Sequence, residues 1–396
     1  MRVILITSKL RFEDDGSPIG GSVIDLHLKA RGLVELGHEV TVVTAFSNAN
    51  CMTVALPYRV EERLIGNRGL LSLQRGIYAF LKEFESKTDV FYIDGHMFLY
   101  GAGLYRLCGG RVPIVGFFNI RLNAWADTSG DTARPPLYRR IRKTLRHALE
   151  RLVGAPIANR LDAFIFNTPQ VQTLYHRFGI GRGKPNALIP DFVATRALME
   201  RFGVSRESAG ARHRADAKMT LFATGRMLPE KGFDLLLRAF ALISRKDNYS
   251  LVISGDGPEM GNLKKLAKEL GIDRSVIFTG WISREALYGF FKKATLFIFP
   301  RWWLEYGSVA LTEAMAFGLP ATVPGGGALE WLAGGAALAF KNGDGRALAE
   351  RIEELATNAQ LRKELSEKSV ARAEELDARV LTRRLEELLV SVRNTD

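Results

Sequence analysis

Apolar residues in the first half of this chain gather into short runs, separated by stretches in which they recur every three or four positions. Runs at 3–7, 40–44, 90–93, 114–118 and 163–167 predict buried strands, and the periodic stretches 23–36, 71–84 and 97–107 predict helices between them. Strand and helix in alternation imply a parallel sheet wrapped by helices. Thr168-Pro169 reads as an N-cap followed by a proline at the first helical position. Polarity then rises over 195–218 without a strand pattern, which marks an interdomain region. The same rhythm restarts beyond it, with strand-like runs at 221–224, 250–254, 276–279 and 296–299 and helical patterns at 233–243, 263–270, 285–291 and 308–317. The last 50 or so residues are mostly helical and charged.

This pattern predicts two doubly wound α/β domains of similar size. Ligands in such folds bind at the carboxyl ends of the strands, so the expected active site is a cleft between the domains. The expected divisions are 1–194, 195–375 and a C-terminal helix at 376–396 packing back on the first domain. A length of 396 residues fits two domains, and a hydrophobic fraction of 47% excludes general disorder. No window has the run of about 18 apolar residues that a membrane span needs. The N-terminal MRVILITS is too short for a signal sequence and reads as a first buried strand. Two cysteines, Cys51 and Cys108, form no disulfide framework, and six scattered histidines show no zinc-ligand spacing. A reducing cytosol is the expected compartment.

The net charge of +12 is unevenly spread. Residues 1–190 carry 25 Lys and Arg against 16 Asp and Glu, while the remainder carries 30 against 27. The excess peaks over 134–160, where eight basic residues accompany one acid, Glu150. Ile141, Leu145, Leu149 and Leu152 recur there at helical spacing, so the basic segment 139–153 is an amphipathic helix. It reads either as a contact with an anionic membrane surface or as a core helix with a solvated basic face. No nucleic-acid recognition motif accompanies the high charge.

Candidate chemistry lies mainly in the second half. In PRWWLEYGSVALTEAMAFGLPATVPGG, beginning at Pro300, Glu305 precedes a predicted helix and Glu313 lies inside it. The free N–H groups of the first turn, near Ser308 and Val309, form an anion site between the two acids. This layout matches the hexose, diphosphate and ribose of a nucleotide-sugar, but it also fits two solvated acids on an ordinary amphipathic helix. Gly225-Arg226-Met227-Leu228-Pro229-Glu230-Lys231-Gly232 follows a strand and opens a helix. Arg226 and Lys231 there can hold a diphosphate, or one of them can pair with Glu230. The spacing is not that of a P-loop. Ser254-Gly255-Asp256-Gly257 is a second strand-to-helix turn whose small residues admit a ligand to the backbone, and Ile19-Gly20-Gly21 is a third, after the first strand. Trp302-Trp303 reads as packing or as a sugar-stacking surface.

In order, G-R-x-x-x-x-K-G, G-D-G-P-E, the Phe278–Gly280 turn and E-x7-E-A-M-A-x-G-x-P resemble the retaining glycosyltransferases of family 4, with their two-domain GT-B fold. Gly20-Gly21 and Gly37-His38-Glu39-Val40 are similar to that family's early glycine loop and G-H-E-V strand. The resemblance implies two Rossmann-like domains facing each other across a cleft, the first binding the acceptor and the second a UDP- or GDP-linked sugar donor. It also implies transfer with retention and no metal, since no D-x-D motif ends a strand. By resemblance, Arg226 and Lys231 bind the donor diphosphate and Glu305 the hexose, and these three are the catalytic candidates. Glu313 is expected at the ribose, Gly21, Gly225, Gly255, Ser308 and Val309 around the donor phosphates, and the Ile282 backbone at the base. Gly20 and Asn119 are assigned to the acceptor side.

Three departures stand out. Asn119 takes the place of the histidine usual after the fifth strand, and it cannot act as a base. Tyr306-Gly307-Ser308 follows Glu305 where relatives often place an aromatic and then Gly or Ser at the second and third positions. Asp191-Phe192-Val193-Ala194 stands where many relatives read N-G-V-D. The expectation is a metal-independent hexosyltransferase acting at the cytoplasmic membrane face on a lipid-linked or surface-glycan precursor. The alternatives are transfer to a small soluble acceptor, or a sugar-nucleotide-binding protein without turnover.

Overall fold

The computed structural model describes residues 1–12, 18–46, 55–66, 69–120, 122, 137–211, 218–244, 248–300 and 306–394. Among these, the contacts divide the chain into one unit of Met1–Asp191 with Arg379–Asp396 and another of Phe192–Ala378.

The first unit is built on seven parallel strands: β1 (Arg2–Thr7), β2 (Glu39–Thr44), β3 (Arg59–Glu62), β4 (Val90–Asp94), β5 (Ile114–Phe118), β6 (Ala163–Phe166) and β7 (Asn186–Leu188). Their order is β3-β2-β1-β4-β5-β6-β7, so the chain winds outward from β1 on one side and then on the other, with its switch point between β1 and β4. Central strands are continuous apolar runs because helices cover both faces of such a sheet, and all five residues of β5 are buried. The edge strands β3 and β7 are mostly half-exposed, and they are the two the apolar pattern does not predict.

The second unit has six parallel strands: β8 (Met219–Thr224), β9 (Tyr249–Ser254), β10 (Val276–Gly280), β11 (Leu296–Ile298), β12 (Ala321–Pro324) and β13 (Ala337–Phe340). The order β10-β9-β8-β11-β12-β13 puts its switch point between β8 and β11. One apolar cluster lies around Phe222, Phe291, Phe297 and Phe317, and a second around Leu237, Phe240, Ile253 and Ile352.

Several local expectations are corrected. The polar stretch 195–218 contains the helices Thr195–Phe202 and Arg206–Ala211, and both belong to the second unit. Leu198, Met199 and Val204 bury against its core, which overrides the polar composition. Thr168 precedes the helix Pro169–Arg177, but its hydroxyl makes no cap and is buried without a hydrogen-bond partner among the described residues. The chain passes between units at two adjacent places. Thr195 Oγ1 and the Arg196 amide both donate to Asp377 Oδ2, at 3.1 and 2.9 Å, and the Ala378 amide donates to the Val193 carbonyl. The last helix, Ala378–Arg393, then joins the first unit. There Glu386 pairs with His38 at 2.8 Å, and Thr382 occupies the space that the absent side chain of Gly32 leaves.

Candidate functional site

At the carboxyl end of β8 the chain turns through Gly225 to a 3-10 turn at Pro229–Lys231, and Gly232 in left-handed conformation (φ 67°) leads into the helix Phe233–Leu242. Met227 is fully buried and pins the middle of this loop, while Arg226 is exposed and Lys231 half-exposed. The loop after β9 lies directly against it. Gly225 donates to the Ser254 carbonyl, Met227 to Asp256 and Glu259 to Met227, at 3.0, 2.8 and 3.1 Å. A Cβ on Gly255 (φ 129°) would sit 1.9 Å from the Gly225 oxygen, and one on Gly257 would sit 2.5 Å from that of Met227. The Gly255 amide is committed to Gly280 at 3.0 Å. The missing side chain of Gly255 admits the neighbouring loop. That contact holds Arg226 and Lys231 at the sheet's edge.

Across the switch point, β11 leads towards the helix Val309–Ala316. Ser308 caps it, its Oγ accepting from the Leu311 amide at 3.1 Å. The first-turn amides of Val309 and Ala310 have no carbonyl within the helix to bond, so the helix start offers donors to an anion. One turn further in, Glu313 is only 2% exposed. Its Oε1 accepts from the Arg284 guanidinium and from the Tyr288 hydroxyl, and Arg284 Nη2 also donates to that hydroxyl at 2.6 Å. Burial pushes the Glu313 carboxyl above its usual range against the pull of Arg284, and it raises the Tyr288 phenol to about 12. Burial works against the Arg284 charge too, but Glu313 and Tyr288 more than offset it. Sequence reasoning missed Arg284 and Tyr288. They share one face of the helix Arg284–Lys293 at i, i+4, but nothing in the sequence ties that helix to Glu313. Ile282 is half-buried just before it, behind the turn at Gly280 (φ 72°). Glu305, Trp302 and Trp303 lie outside the described residues.

In the first unit, Gly20 (φ 92°) precedes the helix Gly21–Glu35, and both glycines are exposed at the end of the loop after β1. A Cβ on Gly20 would meet open space. Asn119 is half-buried one residue beyond β5. Behind these positions lies a charge cluster that no motif announced. Lys29 and Asp25, both buried, pair at 2.5 Å, and Lys29 Nζ lies 3.3 Å from the centre of the Phe117 ring. Thr7 donates to Asp94 at 3.0 Å. Asp94 and Asp191 keep some exposure as whole residues, but protein surrounds their carboxyls, and Asp191 Oδ1 is buried with no hydrogen-bond partner among the described residues. Burial lifts Asp94 to about 6, against the pull of Lys29. Burial and then the Asp25 charge lift Asp191 to about 7. Burial lowers His96, with Arg146 adding to the effect, and His27, with Arg31 adding to it, each to about 4. The departure at Asp191 from the N-G-V-D pattern was the one available signal.

Among the described residues no group of three His, Cys, Asp or Glu could hold a metal, and no helix is long and apolar enough to cross a membrane.

Two family models match the chain in succession: Glycosyltransferase Family 4 over residues 19–196 and Glycosyl transferases group 1 over residues 205–372. An uncharacterised glycosyltransferase of Methanocaldococcus jannaschii is 28% identical over 330 residues, 78% of each chain. The alpha-monoglucosyldiacylglycerol synthase of Streptococcus pneumoniae is 35% identical over 111 residues, 28% of this chain and 25% of that protein. Anabaena Alr3699/HepE, solved in complex with UDP, shares the fold with a TM-score of 0.74 at 18% identity, covering 99% of this chain and 100% of that one. Sequence match and doubly wound architecture agree along nearly the whole length, and this chain belongs to the group 1, family 4 glycosyltransferases of GT-B fold, which draw their sugar from nucleotide donors.

Proposed function

We propose that the protein moves a hexose, with retention and without a metal, from a UDP- or GDP-linked donor to a lipid-linked or surface-glycan precursor. The observation that carries this reading is the switch point of the second unit. The cation-bearing loop after β8 and the capped helix start after β11 flank it, and a buried carboxylate stands one turn behind. Arg226 and Lys231 take the diphosphate, and the amides at Ser308 and Val309 complete its cradle. Glu313, held by Arg284, accepts from the ribose hydroxyls, and the backbone at Ile282 meets the base. Glu305 grips the hexose. The first unit brings the acceptor, with Gly21 approaching the phosphates and Gly20 and Asn119 lining the acceptor side.

In the reaction the bond from the sugar's anomeric carbon to the phosphate oxygen breaks. A bond to the acceptor oxygen forms on the same face, and the acceptor proton passes to the departing phosphate. Catalysis is then stabilisation of the charge that develops on the diphosphate, by donors already in place. A lipid acceptor is supported by the pneumococcal relative, named for a diacylglycerol product, and a UDP donor by the UDP complex of Anabaena Alr3699/HepE.

The test is donor hydrolysis and transfer across a panel of UDP- and GDP-sugars, with Lys231→Ala beside the parent protein. The variant is expected to lose at least about tenfold in turnover, the value of one charge-assisted contact to the leaving group, with its thermal midpoint unchanged. Near-normal turnover would remove the diphosphate assignment.

A further inference from the structure

The helix Leu137–Leu149 and the π-helical turn Glu150–Gly154 that continues it sit on the first unit with the wrong face outward. Leu145, Leu149 and Leu152, at i, i+4 and i+7, share one face, and they are 66%, 62% and 77% exposed. Val153 beside them and Tyr138, two turns before Leu145, are exposed as well. The polar side of the same segment makes the contacts with the body. Tyr100 donates to the buried Glu150, Arg151 donates to the Arg177 carbonyl at 3.0 Å, and the His147 ring meets the edge of Phe178 at 5.3 Å. The helix Leu70–Phe84 of the same unit does the reverse and buries Leu73, Ile77, Phe80 and Leu81. Scattered surface leucines are ordinary, but a contiguous stripe on an amphipathic helix that docks through its polar side is not.

We infer that this stripe is a monotopic anchor that lies in the interface of an anionic bilayer. The segment 137–154 carries Arg139, Arg140, Arg142, Lys143, Arg146 and Arg151 against one acid, and that acid is engaged by Tyr100. An apolar stripe on a segment whose sequence carries this excess of cations is complementary to a surface with anionic headgroups over acyl chains. A second copy of this chain is the poorer occupant, because pairing like stripes would bring two sets of cations together. Placement agrees with this choice. Tyr100 follows β4 by six residues, and Arg146 acts electrostatically on His96, two residues beyond that strand, so the anchor stands at the carboxyl end of the sheet. Asn119 lies at that same end, after β5. A lipid-linked acceptor would therefore present its head where the first unit is proposed to receive it. The acceptor class rests on the function proposed above, but the binding surface does not.

The test is co-sedimentation of the full chain with vesicles of phosphatidylglycerol and phosphatidylcholine, and with vesicles of phosphatidylcholine alone, at about 0.1 M and about 0.5 M NaCl. The protein is expected to pellet with the anionic vesicles at low salt and to stay in solution with the neutral ones. Leu145→Ser/Leu149→Ser/Leu152→Ser should lower the partition coefficient at least about tenfold without shifting the thermal midpoint, since all three side chains are exposed. Leu152→Asp alone should lower it in the same direction. No pelleting with anionic vesicles overturns the inference, and so does a triple variant that pellets like the parent. A parent dimer that the triple variant turns into a monomer also overturns it, by assigning the stripe to a second copy. Hydrolysis of a UDP-sugar without vesicles separates the two proposals. Vesicle binding without donor turnover sinks only the transfer reading, and turnover without vesicle binding sinks only the anchor.

Discussion

The two sheets end differently at the carboxyl ends of their strands. In the second unit the loops after β8 and β9 are zipped together through backbone, Gly255 against Gly225 and Gly257 against Met227, with Arg226 exposed and Lys231 half-exposed on them. In the first unit Gly20 and Gly95, in the loops after β1 and β4, meet open space, and charges lie inside, with Asp25, Lys29, Asp94 and Asp191 gathered behind the edge. An edge of the first kind offers cations on a loop fixed through its backbone, which suits the diphosphate proposed for it. An edge of the second kind keeps charge in a medium that resists it, so its protonation follows its surroundings.

Substituting one glycine from each edge tests the contrast most severely. Gly255→Val places a branched side chain at φ 129° where the Gly225 oxygen already lies. Backbone strain of about 1–3 kcal/mol adds to the parting of the two loops. Donor turnover should fall at least about a hundredfold, the equivalent of ~2.7 kcal/mol, and the thermal midpoint should drop by several degrees. Gly20→Ala shares the positive φ but meets no neighbour, and it should cost only about 1–2 kcal/mol of stability. Equal losses in the two variants would mean that the loop-to-loop contact is not what sets the second unit apart.

The same contrast explains what could be read in advance. The Gly225–Gly232 and Gly255–Gly257 turns follow apolar strands, and backbone packing demands glycine at fixed spacing, so both left a signature. Glu313 was legible because it sits one turn inside a capped helix, whereas its partner Arg284 comes from a separate helix 29 residues earlier. The strands β12 and β13 escaped notice because ATVP and ALAF are four-residue runs without alternation. The buried charges come from three separate segments and had no pattern to show. Periodicity disclosed that the 139–153 segment has an apolar face, but not which way that face points; tertiary contacts at Glu150 and His147 decided it.

A smaller effect is expected at Arg284. Arg284→Ala leaves the Glu313 carboxylate buried with only Tyr288 nearby, so its pKa should rise further and the carboxyl should accept less well from a ribose hydroxyl. The KM for the donor should increase about tenfold while kcat changes less, because the contact is made equally in ground and transition states. Arg284→Lys should recover part of the loss, since it keeps the charge without the planar fork that spans Glu313 and Tyr288. A drop in kcat with KM untouched would move Arg284 from positioning to the chemical step, and the donor edge would no longer rest on fixed binding groups alone.

The smallest expected effect concerns the first unit and its dependence on pH. Asp191 holds its proton to about 7 in the fold and to 3.8 as an ordinary side chain. Between those values the folded state binds the proton that the unfolded state has lost, so this group's contribution to stability is present at low pH and declines as pH rises through 7. Asp94, at about 6, declines over a lower window. His27 and His96, held near 4 against 6.5, run the other way: their contribution is present above 6.5 and is lost as pH falls toward 4. Below 6.5 the two pairs oppose each other, and from there to about 7 Asp191 dominates. Asp191→Asn removes that carboxyl, so the variant should gain on the parent steadily between pH 5 and pH 8. The gain should be on the order of 1–2 kcal/mol, reduced from the full linkage value by the residue's partial access to solvent. Thermal midpoints of both proteins across that range give the comparison directly. A constant difference from pH 5 to pH 8 would mean that Asp191 ionises in the fold as it does in the unfolded chain, and the first unit would then hold less stored charge behind its carboxyl edge than its burial implies.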